Sequence, residues 1–366
     1  MIVDKDRLRD FDAVLLGIVF LIVALGLVSI HSATQAKNLP FAESYILRQL
    51  NWLAIGLVLL FMAVKISYQK FVDFSYFLYG VNIILLVMVL VLGHARLGAQ
   101  RWFTIGAFAF QPSEFMKLSF ILALSNYVGQ RKDAMQDLKS LVVPCALLGV
   151  PFVLVLLQPD LGTALLMLPV FFAILIAGGA RIKYMAWMAL VGLAGVPFFW
   201  HFLRGYQKQR LLVFLNPNVD PLGAGYTIIQ SKIAVGSGGL WGKGWLAGTQ
   251  NQLNFLPERH TDFIFSVIGE EWGFIGAILL VFLYFIIVQK AFTIASLTSD
   301  RLGKLIVTGI GVLLGFQVII NIGMTIGLMP VVGIPLPLVS YGGSSLMATL
   351  VAIGLLLNVF MRRSTF

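Results

Sequence analysis

The sequence predicts an all-α polytopic membrane protein of about ten transmembrane helices, with a long external loop between the seventh and eighth. Two observations carry this prediction. Of 366 residues, 59% are hydrophobic and only 11% charged, whereas a soluble domain carries roughly 25% charged residues. Apolar runs long enough to cross about 30 Å of hydrocarbon also recur along the whole chain. The mean hydropathy is +0.93. The chain reads as one transmembrane domain, 1–366, with the long loop at 202–262.

The runs fall at 13–30, 50–64, 74–93, 112–129, 141–157, 160–177, 184–201, 264–289, 304–329 and 341–361. The first is too long for a signal-peptide core and many spans follow it, so it is read as a retained helix. The run at 50–64 is short, and 141–157 and 160–177 lie close together.

An even number of spans puts both termini on one side. Fifteen Lys and Arg fall on that side, against four in the short loops opposite. Basic residues favour the cytoplasmic side, which makes both termini cytoplasmic and loop 202–262 external. The formal net charge of +10 is scattered singly at segment ends. This is a topology pattern rather than a nucleic-acid patch. Cys145 is the one cysteine, so no intrachain disulfide forms. His31, His94, His201 and His260 fall near the external face without metal-ligand spacing and read as interfacial side chains.

Polar residues inside spans are expensive and mark cavities or pairs. The fourth span opens Gln111-Pro112-Ser113-Glu114, then Lys117. Proline suits the first helical position. Glu114 and Lys117, three residues apart, share a helix face. The sixth span opens Gln158-Pro159-Asp160 and the eighth Thr261-Asp262, with Thr261 as the expected N-cap. Three carboxylates and three helix N-termini are thus expected at one depth. Helix N-termini beside bases bind anions. An anionic head group such as a lipid diphosphate would suit Lys117, Arg101, Arg210, Lys232, Lys243 and Arg259.

Within the loop, 225–235 reads as an amphipathic piece on the membrane surface, with Tyr226, Ile229 and Ile233 on one side. Gly236 to Trp245 is glycine-rich. It lacks the phosphate-loop pattern, because Ser237 stands where glycine is needed, and Gly242, Gly244 and Ala247 have no βαβ context. These glycines are expected to let the backbone approach a ligand or a helix. Residues 329–345 contain three prolines and three glycines, which a regular helix excludes. Irregular backbone at membrane depth needs a protein or cavity surround, so a re-entrant segment lining the same external cavity is expected.

These residues closely resemble the SEDS family (shape, elongation, division and sporulation), along essentially all ten spans. The marks are Gln100-Arg101-Trp102, Gln111-Pro112-Ser113-Glu114 with Lys117, Gln158 to Thr163, Asp220 to Tyr226, Leu256 to Phe265, and Pro335 to Ser345. Arg259, between Glu258 and His260, is similar to the elongation branch.

The resemblance implies a peptidoglycan glycosyltransferase that polymerises lipid II, the undecaprenyl-diphosphate-linked disaccharide peptide, at the outer face of the bacterial cytoplasmic membrane. It implies a class B penicillin-binding protein and the elongation machinery as partners, a divalent cation (Mg²⁺ or Mn²⁺) and no organic cofactor. The family's essential aspartate falls on Asp262, the expected general base. Glu114, Lys117, Asp160, Arg101, Arg210, Lys232, Lys243, Glu258, Arg259, His260 and Ser340 are expected to bind the diphosphate or shape the cavity. A lipid II flippase would also use intramembrane acids and broken helices, but no paired inverted repeat is visible and the acids cluster at one leaflet. A non-catalytic scaffold would tolerate loss of Asp262.

Overall fold

A computed structural model describes residues 12–35, 44–96, 99–105, 108–131, 137–203, 205–220 and 223–363. The first eleven residues, with their mixed charges, lie outside the described residues. The helices are α1 (Ala13–Gln35), α2 (Tyr45–Lys65), α3 (Tyr68–Asp73), α4 (Ser75–Leu92), α5 (Pro112–Gly129), α6 (Val142–Leu157), α7 (Leu161–Ala177), α8 (Ile182–Phe202), α9 (Gly205–Leu215), α10 (Ala224–Ser237), α11 (Thr249–Gln252), α12 (Ile264–Leu297), α13 (Arg301–Thr325) and α14 (Gly343–Met361).

The ten expected spans correspond to α1, α2, α4 to α8 and α12 to α14. The short run at 50–64 is the core of a 21-residue helix, because Ser44 caps it early: the Ser44 hydroxyl accepts from Leu47 N at 3.2 Å. Seven described helical stretches have the length and hydropathy to cross a membrane, while α7 and residues Ile182–Phe198 are shorter apolar stretches. Helix α5 is the polar one. It buries Ser113, Glu114, Lys117, Ser119, Ser125 and Asn126 and is enclosed by α4, α6, α7, α13 and α14. A helix surrounded by protein needs no lipid-compatible face, so it can carry polar groups that a peripheral span could not.

One small sheet was not expected. β1 (His94–Arg96), β2 (Ala99–Ile105) and β3 (Phe108–Phe110) are antiparallel in the order β1-β2-β3, with Phe103 opposite Phe110 and Ile105 opposite Phe108. Its signal is a single strand's worth of β-branched and aromatic residues, Trp102-Phe103-Thr104-Ile105, between two strong helices. The sheet carries Arg101.

Helix α12 is broken. Gly273 has φ 65° and ψ −161°, a region that essentially only glycine occupies. The break frees backbone groups that must be paired inside the protein. The glycine-rich segment supplies the partners. Phe274 N donates to Gly239 O (2.9 Å) and Ile275 N to Leu240 O (3.2 Å), while Glu270 O and Glu271 O accept from Lys243 N and Gly244 N at 3.0 Å each. A Cβ at Gly238 or Gly242 would collide with the α12 backbone. The glycines therefore serve close approach to a helix, one of the two expected uses.

Helix α10 buries a different face from the expected Tyr226/Ile229/Ile233 one. It packs against α12 and buries Ile228, Ser231 and Ala234 while Ile233 is exposed. The Ser231 and Ser266 hydroxyls lie 2.7 Å apart in a hydrogen bond. Helix α12 offers a small, polar surface there, which a Tyr226/Ile229/Ile233 face would not match.

Replacing Gly273 by alanine should destabilise the fold by about 1–3 kcal/mol or more, read as a lower unfolding midpoint in detergent. An unchanged midpoint would show that the α12 break does not require glycine.

Candidate active site

The head of α7 sets the first half of the site. Asp160 is its N-cap, accepting from Thr163 N at 3.2 Å and from the Thr163 hydroxyl at 3.0 Å. Gln111 Nε2, before α5, donates to the same carboxylate at 3.3 Å. Asp160 is buried, and Arg101 Nη1 lies 3.8 Å from its Oδ1. Arg101 is fixed further by donating from Nε to Gln158 O at 3.1 Å and from Nη2 to Pro159 O. The short sheet thus delivers a guanidinium to a helix N-terminus.

The second half comes from the long loop and the 330s. Arg210 on α9 donates from Nη1 to Val331 O at 3.2 Å and lies 5.7 Å from the Tyr206 ring centre. The Tyr206 hydroxyl donates to Pro159 O at 2.9 Å. Arg101, Tyr206, Arg210 and residues 330–332 line a small open recess. The expected irregular segment therefore does line the site: residues 329–342 contain no helix or strand, and Ile334, Leu336, Val339 and Ser340 are buried.

Asp262 lies at the head of α12. Burial first, and then the Glu258 carboxylate, push it up to about 6, against the pull of Arg210 and Arg101. A Cβ at Gly333 would lie 3.3 Å from Asp262 Oδ2 and 4.0 Å from Arg210 Nη1, which places the carboxylate and the guanidinium against one glycine. No described residue donates a hydrogen bond to the Asp262 carboxylate. Among the described residues it is a half-buried acid with no hydrogen-bond donor, under the influence of two arginines.

Its main chain, by contrast, is held. Tyr341 N donates to His260 O at 2.9 Å. The Ser340 hydroxyl donates to Thr261 O at 2.6 Å and accepts from Leu336 N at 2.8 Å. Asn321 Nδ2 donates to Asp262 O at 3.0 Å and to Ile334 O at 2.7 Å. Ser340 is therefore a positioning group. The His260 ring packs edge-on against Tyr45 at 4.7 Å. Thr261 is not the N-cap of α12: Phe263 holds that position and the Thr261 hydroxyl donates to Glu258 O and Oε2 at 3.2 Å each.

Several expected residues are used elsewhere. Glu114 and Lys117 pair at 2.9 Å, both 3% exposed. They line a separate recess with Leu313, Gln317 and Thr349, so only two of the three expected carboxylates meet. Lys243 reaches Glu270 at 2.8 Å, which also accepts from Thr249 and Gln250. Arg259 is buried and donates from Nε to Ala33 O at 2.6 Å, near the end of α1. Lys232 is exposed, its stem against Gly327. The charges that act on Asp262 are Glu258, Arg210, Arg101 and Asp160. Scattered bases in a loop are indistinguishable by sequence, because each one's partner is set by how the loop folds back on α12.

Asn321 and Tyr206 were not expected in the site, while Gln111 was noted only as part of a motif and Gly333 only within the irregular segment. For Asn321 the signal was available: a polar amide within a span. Among the described residues no group of three or more His, Cys, Asp or Glu could hold a metal.

Comparison with known proteins places the whole chain. Residues 12–365 match the family model for FtsW, RodA and SpoVE, described as cell cycle protein. Peptidoglycan glycosyltransferase MrdB of Escherichia coli strain K12 is 41% identical over 317 residues, covering 86% of this chain and 85% of that protein. Peptidoglycan glycosyltransferase RodA of Treponema pallidum is 33% identical, covering 97% and 98%. Among solved structures, a chain of a peptidoglycan synthase complex that coordinates polymerization and crosslinking matches with TM-score 0.82 and 36% identity, over 97% of this chain and 99% of that one. The rod shape determining protein RodA of Thermus thermophilus matches with TM-score 0.73 and 35% identity, over 97% and 98%. With both sequence and fold shared over nearly its whole length, the chain belongs to the FtsW/RodA/SpoVE family.

Proposed function

We propose that this chain, a peptidoglycan glycosyltransferase like its named relatives, joins lipid II units into glycan strands with Asp262 as the general base. The observation that carries the reading is the Asp262 carboxylate, held by its main chain, free of donors among the described residues and raised to about 6 beside Arg101 and Arg210. A base of that strength is deprotonated near neutral pH yet still takes a proton well.

The step is a single displacement. The 4-hydroxyl of the acceptor sugar attacks the anomeric carbon of the donor. Asp262 takes the hydroxyl proton as the new C–O bond forms. The bond to the lipid diphosphate breaks and the diphosphate leaves with the electron pair. An α-linked donor then gives a β-linked product. The leaving group needs no proton, so a second acid of the glycosidase kind is unnecessary. It needs its charge met, and Arg101 and Arg210 are placed to do that. Asp160 orients Arg101, and Tyr206 lies between Arg210 and the Pro159 carbonyl.

A divalent cation fits the residues in one manner. Mg²⁺ is commonly held by one or two carboxylates with substrate phosphates. Glu258, exposed in the loop and close enough to act on Asp262, is the carboxylate that would hold it with the substrate phosphates, which leaves Asp262 free to take the proton. When bound, such an ion supplies further neutralisation of the diphosphate.

The surplus of basic residues on the terminal side supports cytoplasmic termini in the inner membrane and a site at the outer face. The likeness to a synthase complex supports a cross-linking partner, a class B penicillin-binding protein, within the elongation machinery.

Polymerisation of labelled lipid II by the purified full chain tests the base. Asp262→Asn should lower the rate about 100-fold or more. The wild-type rate should fall as pH drops through about 6, since protonation removes the base. Full activity of Asp262→Asn would refute the assignment. Arg210→Gln should lower the rate by about 100-fold and move the acid limb to higher pH, because the Arg210 cation holds Asp262 down. Arg210→Lys should recover part of both effects, and an unmoved limb would uncouple Arg210 from Asp262.

A further inference from the structure

We propose that Asn321 is a positioning residue for the reaction, whose amide sets the place of the Asp262 carboxylate by tying together the two irregular segments of the site. The inference rests on the reading of Asp262 as the base.

Asn321 lies in α13, fully buried, one turn beyond the buried Gln317. Its Nδ2 donates to Asp262 O at 3.0 Å and to Ile334 O at 2.7 Å. The two acceptors belong to different segments, one leading into α12 and the other between α13 and α14. The Ser340 hydroxyl also joins them, from within the second segment, whereas Asn321 ties both to α13. Asn321 Oδ1 is buried with no donor among the described residues. A leucine would fill the position and remove that orphaned acceptor, but it would take the donor from the Asp262 and Ile334 carbonyls. What leucine lacks is a pair of donors spread to two carbonyls.

The pinning is directed at the active carboxylate. The carbonyls of His260, Thr261 and Asp262 accept in turn from Tyr341 N, the Ser340 hydroxyl and Asn321. Three successive peptide groups are fixed, while the side chain of the last has no described donor. On the other side, Ile334 follows Gly333 (φ 73°), whose absent Cβ leaves room for Asp262 Oδ2. One amide thus holds both the backbone that carries the carboxylate and the wall it rests against. The charged groups acting on that carboxylate come from elsewhere: Glu258 in its own loop, Arg210 on α9, Arg101 on β2 and Asp160 at the head of α7. A shift of Asp262 would change its distance from all four.

The test is lipid II polymerisation by the purified full chain carrying Asn321→Leu, with Asp262→Asn in parallel. The leucine chain should lose about 100-fold in kcat, the scale of a misplacement of about 1 Å, while KM for lipid II stays within about twofold. Its acid limb should move below that of wild type as the loosened carboxylate gains water. Asn321→Ser, which keeps one donor, should recover part of kcat and return the limb toward wild type. A leucine chain with wild-type kcat and limb, alongside an inactive Asp262→Asn, overturns the positioning role and leaves the base reading standing. Full activity of Asp262→Asn overturns the base reading first. A leucine chain whose lost activity only tracks its lost folded fraction, with the limb unmoved, also overturns the proposal. Should leucine prevent insertion, Asn321→Ala against Asn321→Ser carries the same comparison.

Discussion

Backbone left irregular inside an apolar bundle must find its hydrogen-bond partners within the protein, and the active end is organised by that constraint. The carbonyls of His260, Thr261 and Asp262 are satisfied by the 340–341 backbone and side chains and by Asn321. The break at Gly273 is satisfied by residues 239–244. Each irregular stretch is thereby the partner of another, so the long loop, the head of α12 and the 330s fold as one unit against α13. Rigid support of this kind suits a site that must present one carboxylate in a defined direction.

The electrostatics follow from that packing. Asp262 and Asp160 are both acids beside Arg101, yet they are treated differently. Asp160 caps a helix and accepts from Gln111 and Thr163. Asp262 has burial and Glu258 against it, with Arg210 and Arg101 opposing. The two acids thus differ in what holds them: Asp160 accepts from a helix cap and an amide, while the Asp262 carboxylate has no donor among the described residues. The Glu114–Lys117 pair is a different case. It is buried and mutually neutralised deeper in the bundle, where either partner alone would be an uncompensated charge.

The spans and most of the site motifs were legible in the sequence because they are local. Apolar length marks a span, proline and acid mark the start of α5, and the spacing of Glu114 and Lys117 puts them on one face. The resemblance then placed Asp262 and Asp160. The bases were not sorted by these signals. Arg101 and Arg210 join the site while Lys243 and Arg259 turn to Glu270 and Ala33, since the choice depends on which wall each loop segment meets. Thr261 reads as a cap because caps are judged from neighbours in sequence. Its hydroxyl was instead taken by Glu258, which has left-handed backbone geometry, φ 49°.

By itself the sequence determined the membrane class, the positions of the apolar helices, the family and the acid expected to do the chemistry. These are properties of composition, run length and short motifs, which hold whatever the neighbours are. Only the tertiary structure decided that α12 is broken at Gly273, that a three-stranded sheet delivers Arg101, and that α10 packs against α12. It also decided which cations meet Asp262 and that Asn321 joins two segments. Each of these depends on a hydrogen bond or charge contact between residues far apart in the chain, whose energy exists only once the bundle has brought them together and excluded water.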